Sequence, residues 1–112
     1  MRTIRACAAA IMLLIAVPTL ATERFHTSTI RMVYPVSSGD FVIGFDTEVS
    51  TCTSTASPKQ LYVAVGQNGV TATGSAKMFA AALAALYARG IVTIAFDDAT
   101  TACYINRIQV GI

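Results

Sequence analysis

The side chains that could do chemistry are few and scattered. They are one histidine, His26, the acidic pairs Asp46/Glu48 and Asp97/Asp98, and three cysteines, Cys7, Cys52 and Cys103. A catalytic nucleophile needs a base within hydrogen-bond reach and a third group to orient that base. The single imidazole lies in a polar stretch, residues 22–27, that reads as a loose lead-in, where histidines are ordinarily solvated and idle. Paired carboxylates could serve a glycosidase or hold Ca²⁺, but neighbouring residues at strand ends diverge, and Asp is common there as a turn former. Gly66, Gly69 and Gly74 lack the Lys-Ser/Thr ending of a phosphate loop. No catalytic residue, metal-ligand set or cofactor is assigned, and a non-enzyme is expected.

The use of the cysteines depends on where the chain goes. Arg2 and Arg5 form a basic start, residues 6–17 an apolar run, Pro18 a break and Ala21 a small residue suited to cleavage. This is the pattern of a secretory signal peptide over residues 1–21, and Cys7 leaves with it. Residues 22–112 then form a single secreted or periplasmic domain. Six basic residues (Arg24, Arg31, Lys59, Lys77, Arg89, Arg107) balance six acids (Glu23, Asp40, Asp46, Glu48, Asp97, Asp98) there. A near-neutral chain without a basic cluster excludes nucleic acid and anionic membranes as partners, and no second apolar run offers a membrane anchor. In an oxidising compartment Cys52 and Cys103 are expected to pair. No C-x-x-C spacing supports a metal or redox role instead. The bond closes a loop of about 52 residues, worth about 4 kcal/mol in the chain-entropy model, in a domain whose size leaves little margin.

The elements that must position these residues centre on residues 74–98, GSAKMFAAALAALYARGIVTIAFDD. Ser75 is the expected N-cap of an alanine-rich helix. Phe79, Leu83 and Leu86 share one face, with Met78 and Tyr87 at its margins. Arg89 suits the negative end of the helix dipole, and Gly90 is the expected left-handed terminator. The rows Ala80–Ala84–Ala88 and Ala81–Ala85 fit either a close contact with a sister subunit or plain helix propensity, and propensity is the favoured reading. A buried strand follows over residues 91–96, with Val92, Ile94 and Phe96 on one face and Asp97 and Asp98 turning out of it.

Four more strands are expected. Residues 28–34 alternate, with Ile30, Met32 and Tyr34 on one face and Thr29, Arg31 and Val33 on the other. Residues 41–46 follow after a turn, with Phe41, Ile43 and Phe45 inward and Gly44 marking a bulge or bend. Residues 47–59 are a Ser/Thr-rich loop held at Cys52. Residues 60–65 form the third strand, and Asn68-Gly69 signals a tight turn, read as a short hairpin extension through residues 70–73. The last strand, residues 103–110, alternates imperfectly, which places a bulge or a sheet edge near Asn106.

The resulting order, β-β-β-α-β-β, is that of an OB-like five-stranded antiparallel barrel corked by its helix. A plain α+β antiparallel sheet with one packed helix gives the same string. FVIGF, the Ser/Thr loop with its cysteine, YVAV and above all KMFAAALAALYARGIVTIAFDD resemble the receptor-binding B subunits of subtilase-cytotoxin- and pertussis-like bacterial toxins. They are equally similar to small secreted proteobacterial proteins that share the helix–Gly–strand segment and one cysteine pair. The toxin resemblance covers most of residues 28–110 as a pattern of elements. It implies a ring of five barrels with helices lining the centre, a toxin-like partner subunit, and shallow pockets for sialylated cell-surface glycans. Those pockets use a Ser or Thr hydroxyl near the first strand with polar and aromatic neighbours. Thr27, Ser28 and Thr29 occupy that region here, and Tyr34 supplies an aromatic face. The competing expectations are a periplasmic structural or inhibitor-like protein presenting the loop 47–59 and, last, a small hydrolase.

Overall fold

The computed structural model describes residues 22–111, so the signal-peptide expectation for residues 1–21 lies outside the described residues. Five strands and one helix follow in the expected order: β1 (Glu23–Pro35), β2 (Phe41–Phe45), β3 (Gln60–Val63), α1 (Ala72–Ala88), β4 (Ile91–Asp97) and β5 (Ile105–Gly111). The strands form one antiparallel sheet ordered β3-β2-β1-β4-β5. The described residues are thus mainly β with one helix.

β1 is the spine. Its first half pairs with β4, from Glu23↔Asp97 to Thr29↔Ile91, and its second half pairs with β2, from Ile30↔Phe45 to Pro35↔Phe41. Residues 23–27 are therefore strand, not a loose lead-in. Their polarity hides them because one side stays in water, while β4 supplies the hydrogen-bonding partner that a local reading does not see. Between Ile30 and Met32 the register slips by one residue, so Arg31 is a bulge and the alternation changes phase. Ile30 and Val33 consequently face the core, in place of the expected Ile30, Met32 and Tyr34. Gly44 is not the bulge itself. It sits opposite Met32, where an added Cβ would come within 3.2 Å of the Met32 Cε, so its missing side chain makes room for the bulged strand.

The other bulge lies at Asn106. β5 slips by one residue between the pairs Ala95↔Arg107 and Phe96↔Ile105, which puts both Ile105 and Ile108 against the core. Cys103 precedes this strand, in a turn with φ of 46°. Asn68 and Gly69 both take positive φ, but no strand follows. The turn delivers the chain directly to the helix, with the Gly66 N–H donating to the Val70 carbonyl at 2.8 Å.

The helix starts earlier than its composition indicates. Thr71 is the N-cap, its hydroxyl accepting the Gly74 N–H at 3.0 Å. Ser75 lies inside the first turn, buried, and donates to the Gly39 carbonyl at 3.3 Å. At the other end Arg89, not Gly90, is left-handed at φ 55°, and the Gly90 N–H returns to the Ala85 carbonyl at 2.9 Å. The buried stripe is Ser75, Ala82 and Ala85, flanked by Met78, Phe79 and Leu86. Small residues face the sheet because they let the helix axis approach it closely. Leu83 is only half-buried and Tyr87 is 86% exposed, while Ala80, Ala84 and Ala88 stand in solvent.

The core joins β2, β3 and β4 to this stripe through Phe41, Ile43, Leu61, Val63, Val92, Ile94 and Phe96. Cys52 and Cys103 form a disulfide with Cα atoms 5.9 Å apart, both buried in that core. Among the described residues no helix is long and apolar enough to cross a membrane.

Candidate functional site

Because β1 extends back to Glu23, Phe25, Thr27 and Thr29 alternate onto the face opposite the buried Ser28 and Ile30. The ladders extend each of them into a row across three strands: Phe25–Ala95–Arg107, Thr27–Thr93–Gln109 and Thr29–Ile91–Gly111. In the first row the Arg107 guanidinium lies 5.6 Å from the centroid of the Phe25 ring, a cation–π contact. Its Nη2 donates to the Glu23 carboxylate at 3.0 Å. Together the two side chains leave Ala95 1% exposed, although it lies on the outer face, while Phe25 itself remains 59% exposed. In the second row the Thr27 and Thr93 hydroxyls are 2.8 Å apart. In the third, Thr29 Oγ1 donates to the Asp46 carboxylate at 2.5 Å.

Asp46 leads this face into a small polar cavity of about 80 Å³ lined by Arg31, Thr47, Glu48 and Lys59 among others. The bulge aims Arg31 here, and among the described residues Arg31 makes no ion pair. Lys59 is held by Glu48 at 3.4 Å and by the Val49 carbonyl at 3.1 Å. His26 meets two of the residues that line this cavity. Its Nε2 meets the Thr47 hydroxyl at 3.1 Å, and its ring stands edge-on to Phe45 with centroids 5.2 Å apart. Burial lowers the imidazole pKa from its ordinary value, partly offset by the Thr47 backbone as hydrogen-bond partner and by the nearby Glu48 charge. At the strand's start, the Arg24 hydrogen bond holds the Asp98 carboxyl below the usual carboxylate range.

Of the four residues named from the resemblance, the fold brings Thr27 and Thr29 together. Ser28 points the other way, buried, with its hydroxyl on the Thr29 carbonyl at 3.1 Å. Tyr34 lies beyond the Arg31 bulge, opposite Val42, and its hydroxyl donates to Gln60 at 3.2 Å. The phase change returns Tyr34 to the outer side that carries Thr27 and Thr29, but five residues further along β1 than Thr29 and beside β2 rather than β4. Phe25, Asp46, Thr93 and Arg107 were not expected there. The period-two spacing Phe25–Thr27–Thr29 carries the signal for the first, and Thr93 already lies on the outer side of the buried strand's alternation.

The hydroxyl groups are spaced by the ladder and fixed by one another, with a carboxylate, a guanidinium and an exposed ring beside them. Such a surface can hydrogen-bond a polyhydroxylated ligand and stack on its apolar side. Among the described residues no three His, Cys, Asp or Glu side chains converge. No protein-family model matches the chain, and no curated protein matches it.

Proposed function

We propose that this chain is a secreted, non-enzymatic binding module whose ligand is a glycan, held on the outer face of β1, β4 and β5. The observation that carries this reading is the row of Phe25 and Arg107 over Ala95 beside the bonded pair of Thr27 and Thr93. An exposed aromatic ring offers a sugar's C–H face a partner, and preset hydroxyls replace part of the water lost on binding. Arg107 keeps donors beyond the one given to Glu23 and is 60% exposed, so it can meet the carboxylate of a sialylated sugar.

On this reading the sheet is an OB-like barrel. β1 is shared by two ladders, and the Tyr62 N–H reaches the Ala102 carbonyl at 3.2 Å, drawing the free edge of β3 towards the segment that feeds β5. The toxin-B-subunit resemblance belongs to the same reading, with a cell-surface glycan and a toxin-like partner subunit as its partners. The exposed helix residues Ala80, Ala84, Tyr87 and Ala88 give a homo-oligomer a surface to meet on. A glycan array probed with the mature domain tests the proposal. Saturable binding to sialylated glycans, lost in Thr27→Ala, is the expected result, and an array without signal contradicts it.

The second reading is a structural or inhibitor-like protein. It is favoured by the way the loop 47–59 is pinned by the Cys52 disulfide, by Lys59 on the Val49 carbonyl and by the Thr53 hydroxyl on the Thr100 carbonyl at 3.2 Å. Solution mass separates the two, since a pentamer fits the first and a monomer the second.

A further inference from the structure

Another hollow among the described residues shares no lining residue with the threonine face. It has a volume of about 410 Å³ and lies between the β1–β2 turn and the first two turns of α1. That volume falls in the range of small-molecule sites, roughly 300–1,000 Å³. Its walls are apolar: Pro35, Phe41, Val65, Ala76 and Phe79. The Phe41 and Phe79 rings meet edge to face with centroids 5.3 Å apart. The Ser75 hydroxyl, on the Gly39 carbonyl, ties the helix to the turn and holds the two walls together.

One lining residue is charged, Asp40. Its Oδ1 accepts the Val65 N–H at 2.9 Å and its Oδ2 accepts the Ser38 hydroxyl at 3.1 Å. These bonds fix the carboxylate in place without neutralising it, and among the described residues no cation pairs with it. Phe41 is 1% exposed and backs Phe79, which is the ring left partly open to the hollow. An aromatic ring and an anchored carboxylate in an apolar hollow are the two kinds of group that attract an organic ammonium ion, by ring quadrupole and by charge. The N-terminus of α1 opens nearby and would favour an anion, but its partial charge is about half a unit against the full charge of Asp40.

We infer that this hollow binds a small amphipathic cation, an apolar body carrying one ammonium group, with the ammonium beside Asp40 and the body against Phe79 and Val65. The test is an NMR titration of the mature domain with three probes of nearly one shape: phenethylammonium, neutral 2-phenylethanol and anionic phenylacetate. The expected result is saturable phenethylammonium binding, with shifts centred on Phe41, Ala76 and Phe79 and the alcohol weaker by about tenfold. Asp40→Asn, which keeps an acceptor for the Val65 N–H, should weaken the cation by a similar factor. Ala76→Trp, at an exposed helix position, should fill the hollow and abolish binding while leaving the melting temperature close to that of the parent. Absence of saturable binding, equal affinity for the three probes, or preference for phenylacetate would each overturn the inference.

Discussion

His26 is the side chain whose ordinary pKa lies nearest to neutral pH. Its ring is packed on Phe45 and bonded to Thr47, and burial lowers its pKa from 6.5. The unfolded chain therefore binds a proton more readily than the folded one between the lowered value and 6.5. In that window stability rises with pH, so it is complete above 6.5 and falls on acidification until the folded imidazole is itself protonated. Thermal melts from pH 7.5 to 5 should show this decline, and His26→Gln should remove most of it. An NMR titration placing the His26 midpoint above 6.5 would refute the sign. Asp98 acts at lower pH. Its depressed pKa makes its contribution present above the ordinary carboxylate value and lost as pH falls through the folded one. Its exposed pairing with Arg24 keeps that contribution small.

At the level of elements, the helix is an asymmetric wedge whose two alanine faces have different duties. Ala82 and Ala85 are 0% and 1% exposed, so Ala82→Leu should overpack the sheet contact and cost about 1–3 kcal/mol. Ala84→Leu, in solvent, should change stability by no more than about 0.5 kcal/mol. Thr71→Ala should cost about 1 kcal/mol through loss of the cap. Denaturant melts of the three variants read all of these directly. The helix, β2 and β4 were legible in sequence because their apolar runs are long and their periods plain. The Asn106 bulge was legible too, since a polar residue broke an otherwise regular alternation. The Arg31 bulge was not. Met32, Val33 and Tyr34 are all apolar enough to pass for either face, so the slip leaves no mark. Residues 23–27 were missed because strand pairing with β4, 66 to 74 positions downstream, is not a local property. The candidate face shares that blindness: Thr27 and Thr29 were named from the resemblance, and Phe25 and Arg107 join them only through the ladders. The helix ends shifted for a similar reason. Thr71 and Ser75 both offer hydroxyls, and burial against the Gly39 turn decides which one caps.

At the largest scale, the described residues form a small sheet with one helix whose distant segments are joined by long-range ties. The disulfide links the loop after β2 to the turn before β5 across a separation of 51 residues, and the Asn68 side chain donates to the Tyr104 carbonyl at 2.8 Å. Replacing both cysteines with alanine should cost about 2–5 kcal/mol in chemical denaturation, because a domain of this size buries too little to spare that constraint. That loss would also loosen the β5 edge that carries Arg107, and with it the outer face proposed for the ligand. The account of that face is tested most directly by titrating residues 22–112 with 3′-sialyllactose and following backbone amide shifts. Saturable shifts at Phe25, Thr27, Thr93 and Arg107, lost in Phe25→Ala with the fold intact, are the predicted result. No saturable shift, or shifts confined to residues away from β1, β4 and β5, would contradict it.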